Sequence, residues 1–177
     1  MNRRQFIRKG LWTGVGMLLP APALARIHVS TGKALMLYHT HTGERMKIRY
    51  SGPGGLDDTT MTRINHFLRD FRTGAIHDID PALVGILCSI NEVFGGVSTF
   101  EVISGYRSPA TNAALRAKSS GVARRSLHMK GQAIDIRLRG VRTARLRDCA
   151  LGMRCGGVGY YPRSDFVHVD TGRVRHW

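Results

Sequence analysis

Apolar and polar positions divide this chain into alternating short strands and amphipathic helices. Residues 33–40 and 44–50 predict two strands joined by a turn at His41-Thr42-Gly43, and Ser51-Gly-Pro-Gly-Gly55 breaks regular structure after them. Asp57 or Asp58 then caps a helix running to about Arg72, with Met61, Ile64, Phe67, Leu68 and Phe71 on one face. A second helix has Asp80 as N-cap and Pro81 at its first position, carries Leu83, Ile86, Leu87, Ile90 and Phe94, and stops at Gly95-Gly96. The second half predicts a strand at 99–103, a short helix from Ser108-Pro109 to about Lys118, and a strand at 133–138. A helix at 141–153 and strands at 158–161 and 166–170 complete it. Sequential strands with short connections favour antiparallel pairing. The expected fold class is α+β: a small, mainly antiparallel sheet with helices packed on one face and chemistry on the other.

The first 25 residues do not join this pattern. A basic stretch containing Arg3-Arg4, a weakly hydrophobic run from 10 to 19 and Ala23-Leu24-Ala25 read as a twin-arginine export signal with a small-residue cleavage site. Pro20 and Pro22 interrupt it, and so few apolar residues do not span a bilayer. The expectation is a signal at 1–25, a single domain at 26–177 with no transmembrane anchor, and a periplasmic location. The formal charge of +15, less the four leader cations Arg3, Arg4, Arg8 and Lys9, leaves +11 on the mature domain. That suits an anionic partner such as a cell wall or lipid surface. Nucleic acid is disfavoured, because the arginines are scattered and no nucleic-acid motif is present.

Three cysteines, Cys88, Cys149 and Cys155, exclude a fully paired intramolecular framework. Cys88 falls in an apolar helical pattern and reads as core. Cys149 and Cys155 are candidates for a disulfide in an oxidising compartment, which their spacing alone does not establish.

The chemistry concentrates in Ser126-Leu-His128-Met-Lys-Gly131-Gln-Ala133-Ile-Asp135 and Phe166-Val-His168-Val-Asp170. Two imidazoles and one carboxylate, His128, His168 and Asp135, form the ligand set of an open catalytic zinc site, which keeps a fourth position for water. The Gly131-Gln132-Ala133 link lets the chain turn after His128 into the strand carrying Asp135. Zinc is preferred to iron because nothing here supplies redox chemistry, although the spacing does not exclude manganese or cobalt. His39 and His41 resemble a metal pair without a third ligand, and His176 has no assigned role.

With these residues in view, the chain resembles the D-Ala-D-Ala metallopeptidase superfamily, whose fold is shared with the hedgehog signalling domain. The superfamily pattern S-x-H-x-x-G-x-A-x-D stands as Ser126, His128, Gly131, Ala133 and Asp135. A closer resemblance, over roughly residues 35–177, is to an exported bacterial family that includes murein endopeptidases. It rests on Ser104-Gly-Tyr-Arg107-Ser-Pro, Gly156-Gly-Val-Gly-Tyr-Tyr-Pro162 and the Phe166–Asp170 run followed by Thr-Gly.

The resemblance implies one zinc ion held by His128, Asp135 and His168, and a zinc-activated water that hydrolyses amide bonds in peptidoglycan stem peptides or cross-links, possible 3-3 links included. It implies a substrate-facing Arg107; the residues themselves make Ser126 a substrate-site or loop-setting residue, and Tyr106, Tyr160 and Tyr161 candidates for the groove or for packing. The superfamily usually places a glutamate three residues before the last histidine. Asp165 stands there, and Asp170, sharing a strand face with His168, is its rival as general base. The alternatives are a D,D- or L,D-carboxypeptidase and a non-catalytic, zinc-containing wall-binding module.

Overall fold

In the computed structural model, residues 33–50, 55–96, 98–119 and 121–177 are described. The expected leader at 1–25 and most of the loop at 51–55 lie outside the described residues.

The strands are β1 (Lys33–His39), β2 (Arg45–Tyr50), β3 (Thr99–Ser104), β4 (Ala133–Leu138), β5 (Gly157–Tyr161), β6 (Phe166–Asp170) and β7 (Arg175–His176). The helices are α1 (Asp58–Phe67), α2 (Pro81–Val93), α3 (Pro109–Lys118) and α4 (Thr143–Met153), with a 3-10 turn at Leu127–Lys130. The strands form one sheet in the order β2-β1-β3-β4-β6-β5-β7. Pairing is antiparallel except between β1 and β3 and between β5 and β7. The fold is therefore α+β and mainly antiparallel, as the pattern predicts.

Period-two alternation sorts core from chemistry. On β4, Ile134, Ile136 and Leu138 are buried among the core residues, joined by Val167 and Val169 from β6, Phe100 and Val102 from β3, and Leu83, Leu87 and Ile90 from α2. Each such side chain contributes about 1.5–3 kcal/mol on burial. Helices α2 and α4 supply this face, α4 contacting β4, β5 and β6. The intervening residues Asp135, His168 and Asp170 point the other way, where α3 forms one wall of a cleft through Leu115. No described helix is long and apolar enough to cross a membrane.

Helix α1 ends at Phe67 rather than near Arg72. The carbonyl of Leu68, which a continuing helix would offer to Arg72, accepts instead from the Tyr106 amide at 2.8 Å. The Arg72 amide turns to the Asp70 carboxylate at 3.0 Å. A local side-chain acceptor thus outcompetes the helix. The short closing strand β7 lies beyond what the hydrophobic pattern predicts. All three cysteines are free thiols, so Cys149 and Cys155 are not joined, and Cys88 is buried in the core.

Candidate metal centre and its cleft

Ser126 begins the site by capping the 3-10 turn: its hydroxyl accepts from the His128 amide at 3.4 Å and its carbonyl from the Met129 amide at 3.1 Å. Gly131 ends that turn with φ +65°, where any Cβ would run into the carbonyl of Asp78. This explains the glycine three residues after His128 and lets the chain enter β4 at once. Asp135 then sits directly opposite His168 in the β4–β6 ladder.

Three ligand atoms converge there. His128 Nε2 lies 3.2 Å from both Asp135 Oδ1 and His168 Nδ1, and His168 Nδ1 lies 2.9 Å from Asp135 Oδ1. The far side of each ring fixes its tautomer. His128 Nδ1 is 2.7 Å from the Gly105 carbonyl, and His168 Nε2 is 3.0 Å from Asp170 Oδ2. Both of those nitrogens must carry hydrogen, because their partners only accept. With both rings neutral, two imidazole lone pairs and a carboxylate oxygen face one point, an arrangement that repels itself unless a metal ion, or the proton that Asp135 and Asp170 favour on His168, fills it. The residues fit a metal ion bound through two nitrogens and one oxygen.

Electrostatics follow from burial and pairing. Burial lowers the His128 pKa below its ordinary value, and this outweighs the Asp135 charge. For His168 burial also acts downward, but hydrogen bonds to Asp135 and Asp170 win and raise it. Burial would push Asp135 upward, yet His128, His168 and Arg107 together hold it far below the usual carboxylate range.

Arg107 reaches the centre from the end of β3. Its Nε donates to Ser104 Oγ at 2.8 Å, its Nη2 donates to Asp135 Oδ2, and its backbone amide donates to the His128 carbonyl at 3.2 Å. A bulge in β3 between Val102 and Ser104 sets Ser104 opposite Asp135 and makes this possible. Arg107, Ser126 and the three ligand residues line a cavity of about 540 Å³.

Other candidates lie elsewhere. Asp165, at φ 51°, turns away to accept from Thr143 Oγ1 at 2.9 Å and to face Arg137 at 3.5 Å. Asp170 is buried and saturated: Oδ1 receives the amides of Gly157 and Gly172 and Arg175 Nη1, while Oδ2 receives His168 and Arg175 Nη2. Neither acid lines the cleft. Tyr106 stacks on His77 at 4.8 Å outside the cleft lining, and Tyr160 lies under Arg147 at 4.6 Å. Tyr161 does line the cleft, accepting Trp177 Nε1–H at 2.8 Å. His39 is wholly buried and His41 sits at the cleft, their rings 6.1 Å apart, with no third ligand; among the described residues only His128, Asp135 and His168 form a metal-binding group. His176 is exposed in β7.

The sequence of residues 28–177 matches the family Peptidase_M15_2, described as peptidoglycan L,D-endopeptidase MepK. The chain belongs to this family. A peptidoglycan L,D-endopeptidase MepK from Escherichia coli K12 is 43% identical over 176 residues, covering 99% of this chain and 97% of that protein. The Shigella flexneri protein of the same name matches equally. A relative from Haemophilus influenzae is 39% identical over 178 residues, covering 99% of this chain and 95% of its own. No solved structure matches. The resemblance to the D-Ala-D-Ala metallopeptidases is thereby upheld, and the chain is a metallopeptidase-type enzyme.

Sequence reasoning passed over Trp177, Arg175 and Arg72. Trp177 lies 5.3 Å from the His168 ring, in space that Gly159, the β5 partner of His168, leaves open. A glycine directly across from a ligand in a strand was the available signal. Arg175 is visible only through its pairing with Asp170, five residues away along the chain.

Proposed function

We propose that the chain is an exported, zinc-dependent peptidoglycan endopeptidase that hydrolyses an amide bond in stem-peptide cross-links. The observation that carries this is the convergence of three ligand-capable atoms, two imidazole nitrogens and a carboxylate oxygen, in an open cleft, in a family whose members are named for peptidoglycan endopeptidase activity.

His128 Nε2, His168 Nδ1 and Asp135 Oδ1 would hold the ion. A bound zinc ion supplies a Lewis acid for the scissile carbonyl and lowers the pKa of a water at its open position. Asp170 keeps His168 in the tautomer that presents Nδ1 inward, so it acts as a positioning residue. Arg107 holds Asp135 through Nη2 while facing the cleft, and its remaining donors suit the charge that develops on the carbonyl oxygen. Among the described residues, Asp135 carries the only side-chain carboxylate of the cleft lining. Of the two candidate bases, Asp170 is the one within hydrogen-bond reach of a candidate ligand, His168, while Asp165 pairs with Thr143 and Arg137. Periplasmic location by the twin-arginine route is supported by the leader sequence.

Digestion of purified murein with the mature domain, read by mass spectrometry of the products, tests the reading. Cross-linked dimers should fall to monomers, and the activity should vanish in His128→Ala together with bound zinc. Release of terminal D-alanine alone would make the enzyme a carboxypeptidase instead. Undiminished cleavage by folded, metal-free His128→Ala would defeat the metal mechanism.

A further inference from the structure

Four guanidiniums line the cleft: Arg72, Arg107, Arg125 and Arg175. Two are neutralised inside the protein, Arg107 by Asp135 and Arg175 by Asp170. Arg72 and Arg125 are in no ion pair. All 12 acidic residues of the chain lie within the described residues, so none is left to pair with them.

Arg72 differs from a loose surface arginine in how it is held. Its guanidinium carbon sits 4.1 Å from the centre of the Phe71 ring, and His41 stacks on the same ring at 4.1 Å and 10°. Its backbone is fixed by Asp70, whose Oδ1 takes the Arg72 amide at 3.0 Å and whose Oδ2 takes the Ser108 amide at 2.9 Å. Ser108 directly follows Arg107, so one buried carboxylate ties the two arginine-bearing segments together. Burial first, and the charge of Arg107 after it, disfavour the cationic form of Arg72, with Asp70 opposing. The side chain is stacked on Phe71 and remains open to the cleft, with the Asp70 charge nearby but no carboxylate in an ion pair with it. Such a guanidinium is pre-organised for a planar, bidentate anion.

We infer that Arg72 is a specificity-determining residue that binds a free carboxylate of the substrate, on the Arg107 side of the amide being cut. This deepens the peptidase reading and rests on it, since a peptide supplies carboxylates, and of the two cleft guanidiniums in no ion pair Arg72 is the one held by an aromatic stack and tied through Asp70 to the Arg107 segment. The planar guanidinium takes the carboxylate, while the metal ligands and Arg107 take the scissile carbonyl. Replacing that carboxylate by a carboxamide removes the charge while keeping the shape.

The test compares two cross-linked peptides, identical except that the carboxyl beside the scissile amide is free in one and amidated in the other. The wild-type enzyme should prefer the free acid, and Arg72→Gln should lose about 10- to 100-fold in kcat/KM on it, the worth of a charge-assisted hydrogen bond. The amidated peptide should be cut equally well by both enzymes, and Arg72→Lys should restore only part of the preference. Calorimetry of the uncleaved peptides with metal-stripped protein gives a second readout, in which Arg72→Gln should weaken binding of the free acid alone. Equal handling of both peptides by the wild type, or an equal loss on both in Arg72→Gln, overturns the inference while leaving the endopeptidase reading intact. If the wild type cuts neither peptide and binds neither, both readings fall together.

Discussion

His168 donates its Nε2 proton to Asp170 at 3.0 Å, and that bond turns Nδ1 toward His128 and Asp135. The two acids near the last histidine consequently have separate duties. Asp170 holds the His168 ring, a proposed ligand, whereas Asp165 ties the start of α4 to the turn before β6.

Replacing Asp170 by Asn should therefore lower metal affinity about 10- to 100-fold, the usual cost of losing a carboxylate behind a ligating histidine. Asp165→Asn should leave affinity unchanged. Competition against a chromophoric chelator measures both, and a larger loss in Asp165→Asn would reverse the assignment.

Metal should also stabilise the fold, because an ion that binds the folded site and not the unfolded chain shifts the equilibrium toward the native state. At a free zinc concentration a thousandfold above Kd the gain is about 4 kcal/mol, which is a Tm rise of roughly 10 °C for a chain of this size. Thermal unfolding with and without chelator should show the rise, and His128→Ala should abolish it.

His39 predicts a pH response from a residue outside the His128–Asp135–His168 group. Burial, reinforced by His41, lowers its pKa from 6.5 to about 4, so the folded state favours the neutral ring. Its Nδ1 accepts the amides of His41 and Thr42 at 3.3 and 3.4 Å, which also requires a lone pair. Between pH 6.5 and 4 the unfolded chain binds the proton more readily, so the stability present above 6.5 is lost as pH falls, by about 3 kcal/mol at pH 4. His39→Asn keeps an acceptor without the titration. Its urea-unfolding free energy should decline less than that of the wild type from pH 7 to 4.5.

Gly131→Ala should be costly in stability and in metal binding together. Left-handed backbone costs a residue with a Cβ about 1–2 kcal/mol, and the clash with the Asp78 carbonyl adds roughly as much again. Denaturant titration and metal analysis should fall in step. A variant with wild-type stability would mean the turn does not set His128.

The fold was largely legible because alternation along β4 and β6 marks both faces at once. Ile134 and Ile136 announce the core, and Asp135 between them announces the site. The meeting of His128, Asp135 and His168 was legible for the same reason: a buried polar residue interrupting an apolar strand demands a partner. The fates of Asp165 and Asp170 were not, because a carboxylate's role depends on which donors surround it, and those come from Thr143, Gly157 and Arg175. The end of α1 was hidden likewise, since Tyr106 claims the Leu68 carbonyl from 38 positions away along the chain. Arg72 was unreadable as a cleft residue until that early ending swung it out of the helix and onto Phe71.

The direct pairing of Asp135 with His168 has a kinetic consequence. Two of the three ligands are neighbours in a central ladder of the sheet, and the third hangs from a turn locked by Gly131 and by the Arg107 amide. The seat for the ion is completed by the same pairing events that complete the sheet. On the proposed metal reading, uptake should then be an encounter with a finished receptor, its rate set by diffusion into the cleft and loss of water from the ion rather than by rearrangement of the protein.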